Sequence, residues 1–234
     1  YLRVLAEKRV DGLVLVASGS DSVVQASLGD IKTPLVLLDR EVAGMAICDL
    51  VEVNHTVGGE IATRHLLELG HPRVACISGP PGLSPSSQRR AGWKQALEAG
   101  GVERKESDLA RGDFTARGGY LAMQVLLKRK PRPSAVFVCN DLMAFGALNA
   151  AREAGINVPE QLSIVGFDDI ELAAFSAPPL TTVVQPKLQI GTLAAELLLE
   201  RVEANRTDAR RVILDPQLKI RESTAPYQPI KANS

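Results

Sequence analysis

The sequence is poor in aromatic residues, and its positive and negative charges balance. Phe, Trp and Tyr make up only 4% of the 234 residues, so Leu, Val, Ile and Ala must fill the core. The 27 Lys and Arg residues equal the 27 Asp and Glu residues in number. A chain without net charge lacks the basic bulk charge of a typical nucleic-acid-binding domain, so these residues alone do not argue for DNA binding.

Cysteines are few, and they lack the spacing of a metal site or a CxxC motif. The three are Cys48, Cys76 and Cys139, of which the last two lie inside apolar runs and are predicted to be buried thiols. No apolar run reaches the length of a membrane span, and no signal peptide is visible at the start. We therefore expect a cytoplasmic protein without membrane contact. Because the chain begins at Tyr1, we also expect a fragment of a longer protein.

Short apolar runs alternate with amphipathic segments along the whole chain. The runs are apolar on both faces, which is typical of strands in a parallel sheet that is covered on both sides. This alternation predicts right-handed βαβ crossovers and an α/β fold with open parallel sheets. The predicted strands are residues 12–17, 34–38, 73–78, 134–139 and 163–167, and the predicted helices are residues 58–69, 88–99, 117–128, 142–154 and 186–202.

Polar residues follow several of the predicted strands directly. In open α/β sheets, ligands bind outside the carboxyl ends of the strands, so the residues at these ends are candidate ligand contacts. The candidates are Asp39 and Arg40 after the second run, Arg89 beyond the Gly79-Pro80 loop, Asn140 and Asp141 after the fourth run, and Asp168 and Asp169 after the fifth.

Each of these residues also has an ordinary structural interpretation. Asp and Asn form turns and cap helices, and Asn140 stands at the N-cap of a predicted helix. Taken together, carboxylates, an amide and a guanidinium at one sheet edge suit a neutral polyol, because they accept from and donate to hydroxyl groups. Phe114 offers a flat apolar face to a ring, or else is a half-buried core residue.

Catalytic motifs are absent from the sequence. It contains no nucleophile elbow, P-loop, GxGxxG or HExxH pattern, and its three histidines share no motif with a serine or cysteine. We expect no enzyme activity, no cofactor and no metal site. An α/β enzyme acting on a sugar or nucleotide remains a distant alternative.

Several long segments resemble the ligand-binding core of the LacI/GalR family of transcription regulators, most closely its ribose and purine operon repressors. The resemblance covers nearly all of the chain. The segments that carry it are KRVDGLVL, LDR, GGEIATRHLLELGHPRVACISGP, RRAGWKQALEAGGV, NDLMAFGAL, VPEQLSIVGFDD, PPLTTVVQP and LKIREST.

This resemblance implies two Rossmann-like lobes of the type I periplasmic-binding-protein-like fold, joined by crossing strands. The N-terminal lobe would contain residues 1–55 and 185–211, and the C-terminal lobe residues 56–184 and 212–234. Family members begin with a DNA-binding headpiece and a first strand–helix–strand unit that this chain lacks. The N-terminal lobe is therefore expected to be incomplete.

The resemblance also assigns ligand contacts. Asp39, Arg89, Asn140 and Asp168 match ligand-facing positions of the family, Phe114 matches a ring-stacking aromatic, and Gln185 lies at a crossover beside the ligand. Arg40 replaces the tryptophan found in the ribose and purine repressors, so a hydrogen-bond donor stands in place of a stacking wall.

The implied function is to sense a small molecule and control DNA binding. A sugar or nucleoside-like effector would favour one lobe angle, which sets the spacing of two headpieces on operator DNA in a homodimer. The main alternative is a transport sugar-binding protein of the same fold with no DNA role.

Overall fold

A computed structural model describes residues 10–17, 21–28, 33–42, 44, 48–103, 105–204 and 206–229. Within these residues, contacts between Cα atoms divide the chain into two units. The first contains residues from 1–54 and 186–215, and the second contains residues from 55–185 and 216–234. The ends of the two expected lobes, residues 1–9 and 230–234, lie outside the described part of the chain.

The first unit is built on a parallel sheet. Its described strands are β1 (Leu13–Val16), β2 (Leu35–Leu38), β3 (Asp49–Val53) and β9 (Arg211–Leu214), in the order β1-β2-β3-β9. Its described helices are α1 (Asp21–Leu28) and α6 (Lys187–Glu203). Val24 and Leu28 of α1 join one apolar cluster on this sheet, while Ile190 and Leu197 of α6 join a second.

The chain passes between the units three times, after Asn54, after Gln185 and after Asp215. The last of these boundaries lies later than the expected position near Val212. The reason is that β9 pairs in parallel with β3, for example Val212 with Val51. Residues 212–215 therefore belong to the first unit, although the resemblance implied the C-terminal lobe.

Buried ion pairs hold β3 between its neighbours. Asp49 is fully buried and accepts from Arg201 Nη2 at 2.9 Å, from Arg206 Nη1 at 3.2 Å and from the Arg210 backbone N–H at 2.8 Å. Burial alone would raise the pKa of Asp49, but hydrogen bonds from Arg201 and Arg206 outweigh it, and the pKa is lowered. These contacts tie the end of α6 to the start of β3.

The second unit is built on a larger, mixed sheet. Its described strands are β4 (Val74–Ser78), β5 (Leu109–Arg111), β6 (Ala135–Val138), β7 (Ser163–Asp168), β8 (Thr181–Val184) and β10 (Gln217–Lys219), in the order β10-β8-β7-β6-β4-β5. All neighbours are parallel except β10, which runs antiparallel to β8 at the edge.

The four α-helices described in the second unit pack as two pairs. They are α2 (His55–Glu68), α3 (Ser84–Ala99), α4 (Ala116–Leu127) and α5 (Asp141–Glu153), together with short 3-10 helices at Glu106–Asp108 and Glu171–Ala174. Glycines allow close approach within each pair: a Cβ on Gly92 of α3 would lie 2.0 Å from the Thr56 carbonyl oxygen, and one on Gly146 of α5 would lie 1.8 Å from that of Ala116.

The α/β fold with parallel sheets in two lobes, predicted from the sequence, is confirmed. Each of the five predicted strands and five predicted helices has a counterpart, although α2 and α3 begin three and four residues earlier than expected, at His55 and Ser84. The side chain of Asn140 caps α5 as predicted, since its Oδ1 accepts from the Met143 N–H at 2.9 Å. Because β4, β6, β7 and β8 run parallel to one another, their carboxyl ends lie at the same end of the second sheet.

Candidate functional site

The predicted site residues are divided between the two units. Asp39 and Arg40 belong to the first unit, and the other five belong to the second. Within the second unit, contacts of side chains and of the Phe114 backbone link these five residues into one cluster, which we call the Asp168 cluster: Arg89, Phe114, Asn140, Asp168 and Gln185.

Asp168 is the carboxylate at the centre of this cluster. It is the last residue of β7, and its Oδ1 accepts from Gln185 Nε2 at 2.7 Å and lies 3.4 Å from Arg89 Nη1. Its backbone has a φ of +117°, a conformation that costs a non-glycine residue about 1–3 kcal/mol. Such strain concentrates at functional sites, where the surrounding contacts hold a side chain in a required direction.

Arg89 is a buried guanidinium with several partners. It lies in α3, its Nη1 donates to the Cys139 carbonyl at 2.6 Å, and its Nε donates to His55 Nδ1 at 3.3 Å. Its guanidinium carbon lies 3.7 Å from the centre of the Phe167 ring, within the range of a cation–π contact. These partners compensate the burial of a positive charge and fix the direction of the guanidinium.

Phe114 is held in place through its backbone. Its φ is +67°, and its carbonyl accepts from Asn140 Nδ2 at 3.1 Å, while Asn140 Oδ1 is used in capping α5. A Cβ on Gly79 would lie 2.3 Å from the Phe114 ring, so only glycine lets this loop pass the aromatic face. The Arg89 guanidinium carbon is 6.0 Å from the ring centre. The ring therefore flanks the charged part of the cluster.

Two residues near the cluster, His55 and Phe167, were not predicted from the sequence as part of the site, and both contact Arg89 directly. Asp141 was a candidate only by its place after a predicted strand; it is the first residue of α5 and a fully buried carboxyl beneath the loop that follows β7. A signal for Phe167 was its position immediately before Asp168 in the chain. Asp141 follows the fourth apolar run, but an acidic residue in the first turn of a helix is common and does not by itself indicate a role in the site.

Asp141 has an unusual proton affinity. Burial raises its pKa to about 7, hydrogen bonds from Thr182 and from the Ile170 backbone oppose this rise, and the nearby charges of Asp168 and Asp169 add to it. Asp169 itself is paired with Arg221 Nη2 at 2.5 Å and lies 3.5 Å from Lys219 Nζ. Asp168 and Asp169 therefore have basic partners, whereas the donors to Asp141 are neutral.

In the first unit, Asp39 and Arg40 follow β2 as predicted. Asp39 has a φ of +70°, and its N–H donates to the Val51 carbonyl at 2.9 Å. The guanidinium of Arg40 is buried, with Nε donating to the Ala17 carbonyl at 3.1 Å and Nη1 contacting Asp21. These contacts tie the loop after β2 to the start of α1. Ligand contact by Asp39 and Arg40 stays a prediction.

In the described part of the chain, no group of three or more His, Cys, Asp or Glu side chains is placed to hold a metal ion. None of the described helices combines the length and the apolar character needed to cross a membrane.

Comparisons with known proteins agree on the family. The family profile described as "Periplasmic binding protein-like domain" matches residues 63–224. The chain is 39% identical over 226 residues to the HTH-type transcriptional repressor PurR of Edwardsiella ictaluri, covering 96% of this chain and 66% of that protein. It is 38% identical over 223 residues to the ribose operon repressor of Escherichia coli K12, covering 95% of this chain and 67% of that protein.

Solved structures give the same result. The transcriptional regulator CelR in complex with cellobiose is 36% identical, with a TM-score of 0.87 over 95% of this chain and 68% of that one. A LacI family transcriptional regulator from Enterococcus faecium with bound ribose is 31% identical, with a TM-score of 0.84 over 97% of this chain and 84% of that one. The chain spans about two thirds of the length of the curated relatives it matches. Sequence and fold together therefore show that the chain belongs to the LacI/GalR family of transcription regulators.

Proposed function

We propose that this chain is the effector-binding and dimerisation core of a DNA-binding transcriptional repressor, and that the Asp168 cluster contacts the effector. The observation that carries the proposal is the linked set of Arg89, Asp168 and Gln185 at the carboxyl edge of a parallel sheet. Ligands of open α/β proteins bind outside this edge. The repressor names of the relatives support the regulatory part.

The chemistry of the cluster suits a small polar ring, such as a sugar or a nucleoside-like molecule. The Asp168 carboxylate accepts from hydroxyl groups, and Arg89 donates in a fixed planar geometry. The Asn140 amide already binds the Phe114 carbonyl and the Met143 N–H, which leaves one N–H and one lone pair for a ligand. The Phe114 ring supplies an apolar face against which a ring can stack. Two similar regulators, both from Enterococcus, contain ribose, and CelR contains cellobiose. We propose Asp39 and Arg40 as the contribution of the first unit to effector binding.

The proposed mechanism is a population shift without chemistry on the ligand. An effector that binds one conformation more tightly than another shifts the equilibrium by its difference in affinity. Operator DNA would be bound by a headpiece outside this chain, so the whole protein would act in the cytoplasm as an allosteric switch.

A homodimer is the assembly that a palindromic operator requires, and the second unit has a surface suited to it. Phe175 is 78% exposed and Leu172 is 60% exposed, although large apolar side chains of this kind are usually covered. They border a cavity of about 370 Å³. Its lining residues are Phe145, Leu148, Asn149, Arg152, Leu172, Phe175, Ser176 and Ala177. We propose that a second copy of the chain covers this surface.

Calorimetric titration with D-ribose and cellobiose tests the effector site. We expect one sugar to bind the unaltered protein and the variants Arg89→Ala and Asp168→Ala to bind it at least about 100-fold more weakly, because each removes a charged hydrogen-bond partner. The exposed Lys128→Ala is the control and should bind as the unaltered protein does. Unchanged affinity in both cluster variants would refute the site.

The same titration, followed by operator binding with the full-length protein, separates repressor from transport protein. A repressor binds operator DNA with an affinity that changes when the sugar is added. A sugar-binding protein of the same fold without affinity for DNA would establish the transport role instead.

A further inference from the structure

The buried carboxyl of Asp141 connects three parts of the second unit. It is the first residue of α5, its Oδ1 accepts from Thr182 Oγ1 of β8 at 2.6 Å, and its Oδ2 accepts from the Ile170 backbone N–H at 2.9 Å. Asp141 has no exposed surface, so both bonds are shielded from water. A single side chain thus joins a helix start, a neighbouring strand and the segment after β7.

The segment that Asp141 holds is the one that carries the ligand-facing carboxylate. Asp168 and Asp169 precede Ile170 directly and have φ values of +117° and +47°, both in the region that non-glycine residues avoid. Two consecutive residues in this region are stable only when surrounding contacts hold them there. The bond from Ile170 to Asp141 is one such contact, at the exit of the strained pair.

Strand β7 packs closely against the Asp141 carboxyl. A Cβ on Gly166 of β7 would lie 2.3 Å from Asp141 Oδ1, so the strand approaches the carboxyl as closely as glycine permits. On the other side of the segment, Arg221 Nη2 pairs with Asp169 at 2.5 Å. The turn after β7 is therefore held from both sides.

We propose that Asp141 is a positioning residue for effector binding: by holding the Ile170 backbone and Thr182, it fixes the turn that directs the Asp168 carboxylate toward the ligand. This inference rests on the proposed function of the Asp168 cluster. Asp141 does not touch the ligand and acts through the backbone of the turn. Its role goes beyond helix capping, because the cap of α5 is provided by Asn140.

Alanine at position 141 tests this role because it removes both acceptor oxygens. Asparagine does not, since its NH₂ can face the Thr182 hydroxyl, which can accept, while its oxygen still accepts from the Ile170 N–H. In Asp141→Ala the Ile170 N–H loses its acceptor.

A matched control exists in the same unit. Asp108 is also a buried carboxyl, accepting from Arg73 Nε at 2.6 Å, and it lies at the amino end of β5. Asp141 follows the carboxyl end of β6. The two groups therefore lie at opposite ends of the parallel strands, and Asp108→Ala also loses a buried hydrogen bond but at the end away from the turn.

The first measurement needs no ligand. Amide hydrogen exchange, followed by NMR on the whole chain, should show the Ile170 N–H exchanging at least about tenfold faster in Asp141→Ala, while Ile164 and Val165 of β7 keep their protection. Asp108→Ala should leave the exchange of Ile170 unchanged. Equal exchange of Ile170 in the unaltered protein and Asp141→Ala would overturn the inference.

The second measurement uses D-ribose and cellobiose as probes. Affinity for the sugar that binds the unaltered protein should fall about tenfold or more in Asp141→Ala and stay the same in Asp108→Ala. An equal loss in both variants would show general destabilisation and would also overturn the inference. If neither sugar binds the unaltered protein, the ribose or cellobiose assignment fails, whereas the exchange of Ile170 still decides whether Asp141 positions the turn.

Discussion

The Nε–H of Arg89 donates to Nδ1 of His55 across 3.3 Å. Since an acceptor nitrogen carries no proton, this bond requires a neutral His55 with its proton on Nε2. His55 is fully buried and is the first residue of the second unit, directly after the chain leaves β3 and Asn54. The guanidinium assigned to the ligand is thus oriented by the residue at a unit boundary.

Replacing His55 should weaken ligand binding through Arg89. In His55→Ala the Nε–H of a buried guanidinium loses its acceptor, and we expect affinity for the bound sugar to fall about tenfold. Calorimetry measures this loss, and ¹⁵N NMR of the unaltered protein should show the Nε2–H tautomer of His55.

The control for this experiment is another histidine of the same helix. His65 Nε2 lies 3.0 Å from the hydroxyl oxygen of Thr224, and Thr224 does not belong to the Asp168 cluster. His65→Ala should therefore leave sugar affinity unchanged. If both histidine variants bind sugar as the unaltered protein does, His55 has no part in orienting Arg89.

The raised pKa of Asp141 predicts a pH-dependent stability. Its pKa is about 7 in the folded chain against 3.8 as the reference value, so the folded state holds a proton that the unfolded state releases. This contribution is fully present below pH 3.8 and is lost as the pH rises through 7. Between pH 5 and pH 8 it should lower the free energy of unfolding by about 3 kcal/mol.

Urea denaturation of the unaltered protein and of Asp141→Asn at both pH values isolates this contribution. The difference in unfolding free energy between the two proteins should be larger at pH 5, because asparagine cannot take up the proton. His65 and His71, whose pKa values are lowered mainly by burial, titrate in both proteins and cancel in the comparison. A difference that is the same at pH 5 and pH 8 would show that Asp141 is ionised throughout.

The close packing of α2 on α3 predicts that Gly92 does not tolerate alanine. The added Cβ would lie 2.0 Å from the carbonyl oxygen of Thr56, a backbone atom that moves only with α2, so Gly92→Ala should destabilise the second unit by about 3 kcal/mol or more. Gly191 of α6 is the matched control, because a Cβ added there would meet no other part of the described chain within 4 Å. There, alanine should stabilise the helix by about 0.5–1 kcal/mol. Thermal denaturation of both variants measures the contrast, and a stable Gly92→Ala protein would mean that the two helices can separate.

The apolar surface around Phe175 predicts the oligomeric state. A glutamate in its place would bring a charge into the proposed dimer contact, so Phe175→Glu should be monomeric under conditions in which the unaltered protein is dimeric. Sedimentation velocity measures this change. Leu188 in the first unit is 87% exposed, and Leu188→Glu should leave the dimer intact. A dimer in both variants would place the interface elsewhere.

Strands that are apolar throughout could be predicted from the sequence, whereas strands with buried charges could not. Apolar runs identified β4, β6 and β7, but β3 was not predicted because it contains Asp49 and Glu52. Both are buried, and their charges are compensated by Arg201 and Arg211 from 152 and 159 residues away. Such remote partners are not visible in a local pattern.

For the candidate site, the sequence proposed Asn140 and Asp168 from their positions at strand ends and Phe114 as an apolar face for a ring, and the LacI/GalR resemblance added Gln185. His55 was not predicted, because its role depends on Arg89, which lies 34 residues further along the chain. For Arg40 the side chain turns toward Ala17 and Asp21, a direction that the sequence could not indicate.

The hydrogen bond from Gln185 to Asp168 has a consequence for selectivity. If the effector binds here, a hydroxyl directed at this carboxylate oxygen competes with an amide N–H already 2.7 Å away, so its binding is in part an exchange of one donor for another. A deoxy analogue would leave the amide in place and the carboxylate paired, so the large penalty of an unpaired buried group would not arise. The loss of one hydroxyl at this oxygen should therefore be tolerated better than at a position without an internal donor.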